Sequence, residues 1–274
     1  MPNFKLLVEY DGTAYHGWQR QSNTHTIQGT IEAALKTMTQ RSVTLIGSGR
    51  TDAGAHACGQ VANFCVQTKL TPDVFLKGLN SLLPPDIVIK DCVLVNESFH
   101  ARYDAQSKVY DYRMLNRPIP VAIFRQYAWH IRKPLDLKAM RTAVLCLKGQ
   151  HDFSAFKAAG SSQRHAVRRV IDASLTAKDP DGYVIFSIEA DGFLRHMVRN
   201  IIGTLVDVGL GKTSPEGFER ILILKDRKQA GITAPAHGLF LQEVKYGSYP
   251  RSRAPRLSES DAGQVQALAQ RDNV

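Results

Sequence analysis

Paired cysteines are the first thing missing. Cys58, Cys65, Cys92 and Cys146 are scattered through 274 residues, and none stands at Cys-x-x-Cys spacing. A zinc ribbon or disulfide framework therefore has no sequence support. Three of the four lie in apolar runs, where a free thiol behaves as a small buried hydrophobe. His56-Ala57-Cys58 is half of a metal site with no second pair to complete it, and the absent Pro-Cys-x-x-Cys argues against a zinc nucleobase deaminase. No metal is expected. No stretch approaches the roughly 18 apolar residues that suggest a membrane helix. Met1-Pro2-Asn3-Phe4-Lys5 enters a strand at once and leaves no room for a signal peptide, so the chain reads as cytoplasmic with no membrane partner. There is no phosphate-binding Walker loop, no Gly-x-Gly-x-x-Gly opening a helix and no Gly-x-Ser-x-Gly elbow. Nucleotide hydrolysis, a dinucleotide cofactor and serine-hydrolase chemistry thus lack support.

What is present is a core and a charge. Apolar residues make up 43% of the chain and charged ones 22%, enough for one large domain or two ordinary ones. Lys and Arg total 35 against 25 Asp and Glu, a net +10. That balance favours an anionic partner, of which nucleic acid is the commonest large one.

The most informative stretch is Gly47 to Gln60. Gly47, Gly49 and Gly54 fall within eight residues, which calls for positive φ or close backbone approach several times over. Between them sit a cation, Arg50, a hydroxyl, Thr51, and a carboxylate, Asp52. A plain hairpin turn needs none of these.

The flanking periodicity predicts a strand at Phe4 to Tyr10, a helix at Ile27 to Met38 capped by Thr24 or Thr26, and strands at Val43–Gly47 and Val61–Val66. A helix opens at Thr71-Pro72-Asp73 and stops before Pro84-Pro85, followed by a strand at Ile87–Val95. This β-α-β-β-α-β order is ferredoxin-like. It recurs with a strand at Val109–Leu115, a helix opened by Asp136, a hairpin from Val170–Thr176 to Tyr183–Ala190, and a helix from Met197 ending near Gly209. A shorter helix at Ser214-Pro215-Glu216 and a strand at Leu239–Tyr246 close the set. The expectation is an α+β fold of two ferredoxin-like halves, 1–105 and 106–247, with mostly antiparallel sheets and a central active-site cleft. Residues 248–274 form a basic polar tail.

A carboxylate such as Asp52 can attack an anomeric carbon or stabilise an oxocarbenium-like centre, provided a cation keeps it ionised and aimed. Arg199 is a candidate. Read as helical, Arg195 and Arg199 share one face, which is equally the pattern of a solvated face. Tyr110 and Tyr112 share a strand face, as core or as a platform for an extruded base. Arg164, His165, Arg168 and Arg169 form a basic cluster suited to phosphate or to solvent.

Taken together, Gly49-Arg50-Thr51-Asp52-Ala53-Gly54 with His56 resembles the signature of the TruA-type tRNA pseudouridine synthases. Tyr10-Asp11-Gly12-Thr13, Gly17-Trp18-Gln19, Phe99-His100-Ala101-Arg102 and Lys108-Val109-Tyr110-Asp111-Tyr112 are similar to further family segments. So are Gly149 to Phe156, Phe193 to Asn200, and Pro235-Ala236-His237-Gly238-Leu239, so the likeness runs from Phe4 to Tyr246. The resemblance implies that Asp52 is the nucleophile on the target uridine and that Arg50 helps extrude the nucleotide. It implies that Tyr110 stacks on the flipped uracil and assists proton removal from C5, that Arg199 pairs with Asp52, and that Leu239 packs against the base. Whether Asp52 attacks C1′, attacks the ring or drives a glycal route stays open. The implied substrate is the tRNA anticodon stem-loop at uridines 38, 39 and 40, bound by a homodimer without cofactor or metal. Ala55 and Arg169 depart from the family pattern at non-catalytic positions, and the tail after Ser248 has no counterpart. The rivals are a catalytically silent RNA-binding protein and a metal-dependent RNA-modifying enzyme. Retention of Asp52, Arg50, Tyr110 and Arg199 speaks against the first, and a missing ligand set against the second.

Overall fold

The computed structural model describes residues 1–160, 165–178 and 181–247. Arg164 of the basic cluster, Asp179-Pro180 of the hairpin turn and the tail from Ser248 lie outside them. In chain order the first six elements are β1 (Asn3–Tyr10), α1 (Ile27–Thr39), β2 (Ile46–Gly47), β3 (His56–Cys65), α2 (Pro72–Leu82) and β4 (Ile87–Val95). There follow β5 (Ala105–Asn116), β6 (Trp129–Ile131), α3 (Leu137–Leu145), β7 (Gly149–Asp152), β8 (Val167–Lys178), β9 (Tyr183–Ala190), α4 (Met197–Gly209), α5 (Pro215–Leu224) and β10 (Leu239–Tyr246).

Local chemistry opens most of the helices. Thr26 accepts a hydrogen bond from Gly29 N, Thr71 from Val74 N, Asp136 from Ala139 N and Ser214 from Gly217 N, each as an N-cap. Pro72 and Pro215 follow two of these caps, where their missing N–H is no loss.

The strands form one ten-stranded, mostly antiparallel sheet in the order β4-β1-β3-β10-β5-β9-β8-β7, with β2 on β3 and β6 on β5. Each half shows the ferredoxin-like arrangement: β4-β1-β3-β2 on one side, β10-β5-β9-β8 on the other. The halves join where β10 runs parallel to β3, pairing Phe240 with His56 and Leu241 with Ala57. In β1, Phe4, Leu6, Val8 and Tyr10 alternate inward, and α2 lays Phe75 against Phe4 and Phe64 with ring centroids 4.7 and 5.2 Å apart. Each buried ring contributes roughly 1.5–3 kcal/mol. Among the described residues no helix is long and apolar enough to cross a membrane.

Several expected bounds differ for non-local reasons. β3 starts at His56 rather than Val61 because β10 pairs with its first residues. Gly59 is needed there, since a Cβ would lie 2.3 Å from Gln242 O. Val43 to Leu45 is not a strand: Leu45 N donates to Glu32 Oε1 at 2.9 Å and Leu45 O accepts from Gln28 Nε2 at 3.0 Å, so side chains take its backbone groups. Arg195 precedes α4 rather than lying on it, so it shares no helix face with Arg199. Cys65 is exposed at the end of β3, contrary to the reading of its apolar run. Short β6 and β7 carry too few residues for a periodic signal.

Candidate active site

The Asp52 loop spans the β2–β3 connection and is fastened from several sides. Ser48 N donates to Val61 O at 2.8 Å, Ser48 Oγ to Gln60 Oε1 at 2.6 Å, and Gln60 Nε2 to Gly49 O at 2.9 Å. The Tyr10 and Thr51 hydroxyls are hydrogen-bonded at 2.8 Å, and Trp18 N donates to Thr51 O at 3.2 Å. A Cβ on Gly17, whose φ is +89°, would meet Thr51 O at 2.6 Å, and one on Gly12 would meet Ala55 O at 2.0 Å. The N-terminal Tyr10-to-Trp18 segment is therefore a buttress moulded to the back of the loop. Glycine is required where the two backbones touch.

That fastening presents Asp52 to the first turn of α4. Arg199 Nη1 lies 2.7 Å from Asp52 Oδ2, with the two side chains only 15% and 25% exposed. His196 Nε2 faces the other carboxylate oxygen at 3.6 Å, beyond hydrogen-bond length. His196 is the N-cap of α4, holds the left-handed conformation at φ 62°, and makes no side-chain cap. A carboxylate brought in from another element also suits the positive end of the helix, where Arg199 alone does not. Burial lowers the His196 pKa, with Asp52 opposing and Arg199, Arg195 and Arg227 reinforcing. The imidazole is thus neutral near pH 7.

Tyr110 and Tyr112 stand on one face of β5, opposite Leu241 and Leu239 of β10 respectively. Tyr112 is fully buried and donates its hydroxyl to Pro235 O at 2.8 Å, which makes it core. Tyr110 packs edge-on to Phe193 at 4.8 Å. Burial first, then Tyr10 and Asp52, push its phenol pKa well up, so it holds its proton at neutral pH. Leu239 is buried beside Tyr112. Arg50 is exposed at the tip of the loop, its guanidinium without a hydrogen bond or ion pair among the described residues. Asp52, Arg199 and Tyr110 are brought together, Leu239 lines the same sheet face, and Arg50 stands at the rim. A carboxylate pinned by a cation and flanked by a buried aromatic, with free positive charge outside, is equipped to act on the sugar–base bond of an anionic polymer.

Comparison with known proteins decides the family. The sequence pattern described as tRNA pseudouridine synthase matches residues 6–104 and 143–247. The tRNA pseudouridine synthase A of Acetivibrio thermocellus is 48% identical over 90% of this chain and all of its own length. The Myxococcus xanthus protein of that name is 44% identical over 93% of this chain and 96% of its own. The chain belongs to the tRNA pseudouridine synthase family. Its members are isomerases. A solved H/ACA RNP bound to a substrate RNA containing 2′-deoxyuridine overlaps 98% of this chain and 56% of its own, at 11% identity and TM-score 0.34, a likeness too loose to argue from.

Within this pseudouridine synthase, His56 has a structural task. Its Nε2 donates to the carbonyls of Gln126 at 3.3 Å and His237 at 3.2 Å, and its Nδ1 accepts from Gly12 N at 3.1 Å. Burial lowers its pKa against the opposing pull of Asp11, whose carboxylate lies 3.0 Å away. Both ring nitrogens are engaged in clipping the loop's exit to distant segments. The half metal site read from His56 and Cys58 is not assembled: among the described residues no group of three His, Cys, Asp or Glu is placed to hold a metal. His196 and Lys108 were not singled out by residue type or spacing. A left-handed histidine and a lysine half-buried by neighbours remote in sequence carry no local signal.

Proposed function

We propose that this protein isomerises uridines 38, 39 and 40 of the tRNA anticodon stem-loop to pseudouridine, with Asp52 as nucleophile. The observation that supports the role of Asp52 is its 2.7 Å contact with Arg199, which spans the two halves of the sheet at the buttressed loop; the sites rest on the family resemblance. Arg199 holds one carboxylate oxygen and aims the other at the extruded nucleoside. Tyr110 stacks on the uracil, Leu239 packs against the base, and Arg50 helps extrude the nucleotide.

The isomerisation conserves atoms. The N1–C1′ bond breaks, the uracil turns, C5 bonds to C1′, C5 gives up its proton and N1 ends with one. Nothing is oxidised or reduced, so the step draws on no redox cofactor. Tyr110 assists at the C5 proton, and the raised phenol pKa means that it does so as a hydroxyl and only rarely as a phenolate near pH 7.

The net +10 suits a long RNA backbone, read by shape and phosphates more than by base edges. We read the enzyme as a cytoplasmic homodimer with each tRNA contacting both subunits. Light scattering at twice 30.4 kDa checks the dimer.

The assignment of sites is tested with unmodified tRNA transcripts, mapping pseudouridine by carbodiimide adducts and primer extension. Stops at 38, 39 and 40 are expected. Modification confined to another region of the tRNA overturns the regional assignment and leaves the chemistry standing.

A further inference from the structure

Lys108 is a cation left without a counter-charge beside the Asp52 loop. It stands on β5 two residues before Tyr110, on the same strand face. Its side chain runs along Gly49, where a Cβ would lie 3.4 Å from both Lys108 Cε and Nζ. The ammonium therefore rests against the residue that precedes Arg50. Burial, with Arg102 adding repulsion, pulls its pKa down to about 8.

No acid answers it. The residues paired with Lys108 on the neighbouring strands are Val244 of β10 and Ala190 of β9, both apolar. Glu189 is engaged elsewhere, with Ser107 Oγ at 2.6 Å and Lys245 Nζ at 2.8 Å. Asp104 accepts from His100 N at 2.8 Å. Among the described residues neither the Lys108 ammonium nor the Arg50 guanidinium has a hydrogen bond or ion pair. Leaving a half-buried ammonium unpaired is unfavourable, and such a group persists where a ligand supplies the missing anion.

We propose that Lys108 and Arg50 form a seat for one backbone phosphodiester next to the target nucleotide, with Lys108 the inner and Arg50 the outer contact. This rests on the RNA-modifying reading above and deepens it. The seat fixes the register of the extruded uridine over Asp52, because Gly49 and Asp52 belong to the same loop. Lysine suits the inner position as a compact point charge that approaches between strands.

The test uses the full chain and anticodon stem-loop RNAs carrying a neutral methylphosphonate at one position at a time, with C5-tritium release and filter binding as readouts. Wild type should lose about tenfold in affinity at one phosphate beside the target. Lys108→Gln should lose about tenfold on natural RNA, mainly in KM, with the salt slope of log Kd reduced by about one. At that same methylphosphonate it should lose nothing more. Lys108→Arg should keep most of the binding. Thermal melts confirm that each variant is folded.

A loss by Lys108→Gln at that methylphosphonate as large as wild type's, or an unchanged KM and salt slope in a folded variant, overturns the seat. Competition by millimolar inorganic phosphate with no methylphosphonate effect would assign the site to free phosphate and likewise overturn it. If wild type itself releases no tritium from natural RNA, the functional reading fails before the seat is reached.

Discussion

Arg199 and Ala234 hold each other through two hydrogen bonds: Arg199 Nε donates to Ala234 O at 2.7 Å, and Ala234 N donates to Arg199 O at 3.1 Å. The guanidinium is thereby locked on one side and offers Nη1 to Asp52 on the other. A lysine cannot fill both positions, because an ammonium lacks the planar fork. Arg199→Lys should therefore lower kcat by about 10²-fold or more, close to 3 kcal/mol, with RNA affinity changed much less. Single-turnover kinetics beside filter binding measures both, and wild-type-like kcat would remove the fork from the account.

The strap that carries Ala234 rests on a glycine of α4. A Cβ on Gly203 would lie 1.7 Å from Ile232 O, against rigid backbone. Alanine ordinarily favours a helix by about 1 kcal/mol over glycine, and here the sign should reverse. Gly203→Ala is expected to destabilise by about 2–4 kcal/mol, lowering Tm by roughly 5–10 °C in calorimetry, and to slow turnover by shifting Arg199.

Tyr110 carries a pH prediction. Its phenol pKa is raised, so the phenolate fraction is small near pH 7 and grows about tenfold per pH unit below that pKa. If ionised Tyr110 carries part of the C5 deprotonation, the single-turnover rate at saturating RNA rises with pH between about 7 and 9 in wild type. The rise should be absent in Tyr110→Phe, which should bind RNA normally and turn over about 10²-fold slower. Parallel pH profiles for the two proteins would exclude the phenolate from the proton step.

Lys108 should oppose folding while it helps binding. Below about pH 8 it is charged both folded and unfolded, and burial disfavours the folded form. Above about 8 the folded lysine gives up its proton while the unfolded one keeps its own up to 10.5, so the penalty fades across that window. Lys108→Met should accordingly raise Tm at pH 7, and the gain should shrink towards pH 10. A Tm unchanged or lowered at pH 7 would contradict the burial of an unpaired charge.

Legibility in the sequence followed the range of the interaction. The caps at Thr71, Asp136 and Ser214 are local hydrogen bonds, and each helix starts where its hydroxyl or carboxylate stands. β4, β9 and β10 carry enough β-branched and aromatic residues to show their own ends. The start of β3 at His56 depends on Phe240 of β10, and the irregular Val43 to Leu45 on Glu32 and Gln28, so neither showed locally. The pairing of Asp52 with Arg199, 147 residues on, came from family resemblance and could not have come from spacing. His196 and the unpaired Lys108 became visible only once β5, α4 and the Asp52 loop were placed against one another.

Release of the C5 hydrogen from tRNA tritiated at uridine C5 reports whether Asp52 acts on the target uridine. Wild type and Asp52→Asn are compared without added metal or cofactor, since the amide keeps the loop's size and removes the charge. Wild type should release tritium, Asp52→Asn none above background, and both should bind tRNA. Substantial release by a folded Asp52→Asn protein, or none by a wild-type protein that binds tRNA, would contradict that action of Asp52.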